Sequence, residues 1–305
     1  MADIDLDGVF AVPPLPRRAD AARSLDLDAA ERVARHIEAG GITRFLYGGN
    51  AFLYHATLGE FEALAGWLAG FPAGRWPIPS VGPAFGRALD QARILRRYRF
   101  PAAMMLPCAD PRDACGLEAG YREVAQAAGM PLILYLKSDD AFGADREAGL
   151  DAIGRLIDAG TAIAVKYAVV LPDAARDPYL DALLRRVDTS RVISGMGERP
   201  AIVHLRDRAL GGLTTGSGCI APRRCHELYA AARARNWTAA AALREHFMPL
   251  EDLRDGWGPA RVLHHAIELC GVAPTGPIPP YVSPLGADRI RQLAPVAQQL
   301  RRVDA

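Results

Sequence analysis

The chain has 305 residues, half of them hydrophobic and 23% charged, which excludes a disordered polymer. Its formal net charge of +1 lacks the basic excess of most nucleic-acid and membrane-surface proteins. No apolar run reaches the ~20 residues that span a bilayer, and the opening MADIDLDGVF lacks the basic-then-apolar order of a signal peptide. Five cysteines without a C-x-x-C pair predict reduced thiols in a cytoplasmic protein, and no metal site is expected.

In chain order, Gly8–Pro13 reads as a strand. Asp28 to Glu31 resembles a capping box that opens a helix to about Glu38. Phe45–Gly49 is a strand ending in glycines, and Leu58–Leu68 has helical periodicity. Ile78–Val81 and Ala102–Leu106 are strands, with a helix over Arg87–Tyr98 between them. A helix over Gly116–Ala128 leads to the strand Leu132–Leu136, and a helix over Asp145–Asp158 leads to the apolar run 161–171. Helices over Pro178–Val187 and Pro200–Arg208 flank the strand Val192–Ser194. Gly212–Thr215 is the last strand and Pro222–Arg235 its helix. Helices over Thr238–Leu253, Gly258–Leu269 and Ala287–Val303 complete the chain. Eight short β/α units predict an α/β protein, a closed (β/α)₈ TIM barrel over residues 1–236 with a C-terminal helical extension over 237–305.

The cations single out two positions. The chain has only two lysines, Lys137 and Lys166, against 34 arginines. Arginine stays protonated, whereas lysine becomes a nucleophile once burial or a neighbouring cation lowers its pKa. Lys166 lies inside a buried-type strand, where an unpaired charge is costly. Alternation puts Ala162, Ala164 and Lys166 on one face, leaving room for a small molecule. Tyr135 and Lys137 share a face at the end of the preceding strand. Active sites of such barrels sit at the C-terminal strand ends. There Gly48, Gly49, Asn50, Gly195 and Thr215 join Lys166 and Tyr135 as candidates. The amine can add to a ketone, the phenol can move protons, and backbone N–H groups can hold a carboxylate.

These residues resemble the dihydrodipicolinate synthase / N-acetylneuraminate lyase family of class I aldolases. The likeness is carried by the stretch Gly116 to Tyr135, by Ala-Val-Lys-Tyr around Lys166, by Ser194-Gly195 through Leu210-Gly-Gly to Gly216, and by Arg244–Leu250. It implies a (β/α)₈ barrel followed by helices, in a homotetramer or homodimer. It also implies a cofactor-independent lyase on a 2-keto acid, with Lys166 forming the Schiff base, Tyr135 moving protons and Gly48, Gly49 and Asn50 holding the carboxylate. Aldol cleavage and dehydration stay open, and a ligand-binding or regulatory protein on the same barrel is the alternative.

The departures are specific. No hydroxyl residue follows Gly49, so the family's relay threonine is replaced, with Asn50, Tyr54, His55 and Thr57 as substitutes. Leu106-Pro-Cys-Ala-Asp110 lacks the tyrosine that family members insert into a neighbouring site. Asp140 stands where the biosynthetic members have a carboxylate-binding arginine, so synthesis of dihydrodipicolinate itself is not expected. Glu198 and Arg199 are candidates for a distal substrate group. His264 and His265 read as structural.

Overall fold

The computed structural model describes residues 5–305. Eight parallel strands close into a barrel: β1 (Gly8–Ala11), β2 (Arg44–Tyr47), β3 (Trp76–Val81), β4 (Ala103–Met105), β5 (Leu132–Leu136), β6 (Ala162–Tyr167), β7 (Val192–Ser194) and β8 (Gly212–Thr215). Each pairs with the next, and β8 returns to β1, with Gly8 opposite Gly212 and Ala11 opposite Thr215. One helix follows each strand: α1 (Leu27–Ala39), α2 (Leu58–Ala69), α3 (Phe85–Leu95), α4 (Ala114–Ala128), α5 (Arg146–Asp158), α6 (Pro178–Leu184), α7 (Ala201–Arg206) and α8 (Pro222–Arg233). Four more helices complete the chain: α9 (Trp237–Glu245), α10 (Met248–Trp257), α11 (Pro259–Leu269) and α12 (Ala287–Asp304). Among the described residues no helix is long and apolar enough to cross a membrane.

The strands are mostly apolar because both of their faces are covered, by barrel interior and by helices, with polar residues such as Lys166, Ser194, Thr214 and Thr215 toward the C-terminal ends. Side-chain caps start many of the helices. Asp26, Thr57, Asp113, Asp145 and Asp177 each accept a backbone N–H from the first turn that follows. The cap of α1 is therefore Asp26 and not Asp28, which lies in the first turn. The reciprocal capping box falls instead at Thr57 and Glu60 on α2.

Two further expectations change. The register between β5 and β6 shifts at Ile163: Leu132 faces Ala162, but Ile133 faces Ala164. An inserted residue breaks strict alternation, so Ala162 is not simply two repeats below Lys166 on the same face. Regular pairing holds above the bulge, where Tyr135 is the direct neighbour of Lys166. The segment Thr238–Leu253 is not one helix. Pro249 lacks an N–H and sits in the first turn of α10, so the chain bends between α9 and α10. Helix α10 then runs past Leu253 to Trp257.

Helix α11 packs against the turn that follows β2. The rings of Phe52 and His264 meet edge to face with centroids 5.9 Å apart. His264 is fully buried, and its Nε2 donates to the carbonyl of Gly276 at 2.9 Å. Burial drives its pKa down to about 4. Below the ordinary value of 6.5 the unfolded chain takes up a proton that folded His264 refuses, so this contribution to stability is lost as pH falls. The melting temperature of His264→Gln, whose amide can still donate to Gly276, is expected to fall less than wild type between about pH 7 and pH 5. Equal falls in both proteins would remove His264 from the acid response.

Candidate active site

A cavity of about 230 Å³ opens at the C-terminal ends of the strands. Gly49 and Asn50 wall it after β2, Tyr135 and Lys137 at the end of β5, and Lys166 from β6. Gly195, Met196 and Gly197 close the β7 side, and Thr214 and Gly216 the β8 side. Glu251, Arg254 and Asp255 reach it from α10. Both lysines of the chain thus face one small space. A larger hollow of about 400 Å³ lies at the opposite end, near Asp5–Asp7, Ser190 and Arg191. Barrel chemistry does not use that end.

Lys166 is 5% exposed, and its Nζ lies 3.9 Å from the centroid of the Tyr135 ring. The ring's negative face favours an ammonium. Burial acts more strongly in the other direction, and the charges of Lys137 and Arg254 add to it. Together they bring the amine down to about 7 from an ordinary 10.5. Near neutral pH a substantial fraction is therefore the free amine, the form that attacks carbonyls. Burial raises the Tyr135 phenol above its ordinary value, against a smaller opposing pull from Lys137, so it stays protonated and able to donate.

Not every candidate lies in the cavity. Gly49 and Asn50 do, but Gly48 packs away from it, where a Cβ would meet Met104 and Ser80. The Asn50 amide is already used, since its Nδ2 donates to the carbonyl of Val12 at 2.7 Å. It braces the β2 turn against β1. Gly195 lines the wall, yet its N–H donates to the Tyr167 carbonyl at 2.6 Å and is not free for an anion. Glycine is required there because a Cβ would strike that same carbonyl. Thr215 is also displaced from the site. Its hydroxyl donates to Glu198 and accepts the Gly218 N–H at 2.6 Å, while Thr214 faces the cavity instead.

Among the substitutes for the relay hydroxyl, Thr57 is engaged in the α2 cap and His55 packs against Tyr281. Tyr54 lies beside Gly49, and its phenol is raised by burial and by the nearby Tyr135. Cys108 and Asp110 belong to a separate hollow and loop by α4. Asp140 is exposed and held by Ser138 and Arg112.

Glu251 and Arg254 were not singled out in the sequence. They form a buried ion pair joined by the Ser217 hydroxyl, which donates to Glu251. A Cβ at Gly216 would overlap the Arg254 guanidinium, and one at Gly197 would lie 2.9 Å from Glu251 Oε2. These two glycines make room for a charged pair delivered by α10. Beneath them Glu198, wholly buried, accepts from Thr215 and from the Cys225 thiol at 3.4 Å. Burial, then the charge of Glu251, holds its carboxyl well above the usual range. Arg199, in contrast, points outward to Asp252 and Asp255.

No protein-family model and no curated protein sequence matches this chain. Solved structures do. Dihydrodipicolinate synthase from Oceanobacillus iheyensis superposes with a TM-score of 0.82 at 20% identity, over 98% of this chain and 97% of that one. The enzyme from Bacillus clausii gives 0.82 at 21% identity, over 99% of both chains. The enzyme from Thermotoga maritima gives 0.83 at 16% identity, over 97% and 99%. The chain shares their fold.

The state of Lys166 is directly measurable. Carbamylation by cyanate, followed by peptide mass mapping across pH, is expected to show Lys166 becoming reactive with a midpoint of about 7. Lys137→Gln removes one of the cations that depress it, so the midpoint should move up. A midpoint near 10 in the wild type would contradict the burial argument.

Proposed function

We propose that the chain is a divergent member of the dihydrodipicolinate synthase / N-acetylneuraminate lyase family and a cofactor-independent lyase acting on a 2-keto acid. The observation that carries this reading is the buried, charge-depressed amine of Lys166 beside Tyr135 in the cavity at the barrel mouth.

In this reading the free amine of Lys166 adds to the C2 carbonyl. Proton transfers through Tyr135 convert the carbinolamine to an iminium and release water. The iminium then accepts an electron pair. Either the C3–C4 bond breaks as the C4 hydroxyl loses its proton, yielding an aldehyde and an enamine, or C3 loses a proton and the hydroxyl at the next carbon leaves as water. In the cleavage branch the enamine then takes a proton at C3 to return to the iminium, and in both branches water hydrolyses the iminium and restores the amine. Gly49 and Asn50 head the helical turn after β2, where backbone N–H groups have no preceding turn to bond. Those N–H groups would take the C1 carboxylate, while the Asn50 side chain fixes the turn. The cavity is smaller than the ~300–1,000 Å³ of typical drug-sized sites, which suits a compact substrate. Assembly as a homodimer or homotetramer belongs to the same reading.

A binding or regulatory role on this barrel is the second reading, favoured by the position of the amine over the ring face of Tyr135 and not at its hydroxyl. Turnover separates the two. Borohydride with pyruvate or a larger 2-keto acid is expected to add mass at Lys166. Labelling confined to Lys137 would overturn the assignment. With a substrate identified, Tyr135→Phe should lower turnover by ~10²-fold or more while the fold survives. Near-normal turnover in that variant would move the proton role elsewhere, with the Tyr54 phenol beside Gly49 as the next candidate.

A further inference from the structure

The charges on the cavity wall do not cancel. Five charged side chains line it: Lys137, Lys166, Glu251, Arg254 and Asp255. Both acids are already matched. Glu251 pairs with Arg254, and Asp255 accepts from Arg199 at 2.8 Å. The aspartates that follow Lys137 in the chain are matched as well. Asp139 pairs with Arg146 at 2.6 Å, and Asp140 receives Arg112 at 3.4 Å. Lys137 is exposed at the barrel mouth and has no carboxylate within ion-pair distance among the described residues. In a chain that uses arginine for nearly every other cation, the two lysines on this wall lack a carboxylate partner among the described residues, and of the two Lys137 is the exposed one while burial lowers the pKa of Lys166.

Its position gives it a direction. Lys137 follows Tyr135 by two residues on the same face, which places its backbone about 7 Å farther toward the opening than the Tyr135–Lys166 layer. A keto acid whose C2 meets Lys166 and whose C1 carboxylate meets the β2 turn extends its far end toward that opening. We propose that Lys137 is a specificity-determining residue that holds a second carboxylate at the far end of the substrate, so that the substrate is a 2-keto diacid. A single ammonium neutralises one negative charge, which suits a carboxylate better than a phosphate dianion. This inference rests on the Lys166 reading for the orientation of the substrate, but its consequence for binding does not require an imine.

The test is calorimetric titration with 2-oxoglutarate and with the monoacid 2-oxobutyrate, on wild type, Lys137→Gln and Lys137→Arg. The diacid is expected to bind wild type at least ~10-fold more tightly than the monoacid. In Lys137→Gln the ratio should fall to within about two-fold, and Lys137→Arg should restore most of it. Comparing ratios within one variant cancels the effect of removing a cation beside Lys166. The same titrations in Lys166→Ala should keep the diacid preference, because the ion contact survives without the amine. Equal binding of the two acids by wild type, or a preference that persists in Lys137→Gln, overturns the proposal. Borohydride trapping on the wild type is read separately. A diacid preference without mass added at Lys166 would sink the imine and leave Lys137 in place. Mass added at Lys166 without a preference would do the reverse.

Discussion

Removal of the Lys166 amine from water is the constraint around which the barrel mouth is arranged. A buried ammonium is costly, and a protein has two remedies: pair the charge or discharge it. This barrel leans on the second, bringing the amine down to about 7. Among the described residues no carboxylate pairs with Nζ; the charges that act on it are the cations of Lys137 and Arg254, and the ring of Tyr135 lies 3.9 Å from it. The same burial keeps the Tyr135 phenol protonated. One desolvated pocket therefore shifts the amine of β6 and the phenol of β5 in opposite directions, although each alone would be an ordinary side chain.

That arrangement depends on the extension as much as on the barrel. Arg254 and Glu251 come from α10, beyond the eighth β/α unit, and enter over β7 and β8 where Gly197 and Gly216 leave space. Glu251 neutralises Arg254, so the guanidinium is tolerated in the interior and still acts on Lys166. The raised carboxyl of Glu198, the Thr215 hydroxyl and the Cys225 thiol form a buried polar layer beneath. Helix α11 serves the other side of the mouth, where His264 packs against Phe52 and steadies the turn bearing Gly49 and Asn50. The extension is thus part of the site's wall.

The sequence alone determined the barrel, most strand positions and the Lys166–Tyr135 pair. Each rests on a local signal: apolar runs of strand length between turn residues, and a scarce residue type in a segment that should exclude it. Adjacent strands in a parallel barrel are neighbours in space, so residues at the ends of β5 and β6 could be joined without coordinates. Only the tertiary structure decided which of the other strand-end residues reach the cavity. Thr214 faces it and Thr215 does not, a difference of one residue that register sets. Gly48 and Gly195 look alike as glycines after strands, yet one packs on Met104 and the other spends its N–H on Tyr167. The bulge at Ile163, the bend before Pro249 and the arrival of Arg254 were likewise decided by packing. An ion pair spaced three apart on a helix reads locally as a solvated face. It becomes a buried wall only because the bend turns that face onto two glycines more than thirty residues earlier in the chain, and such a long-range contact leaves no periodic trace in the sequence.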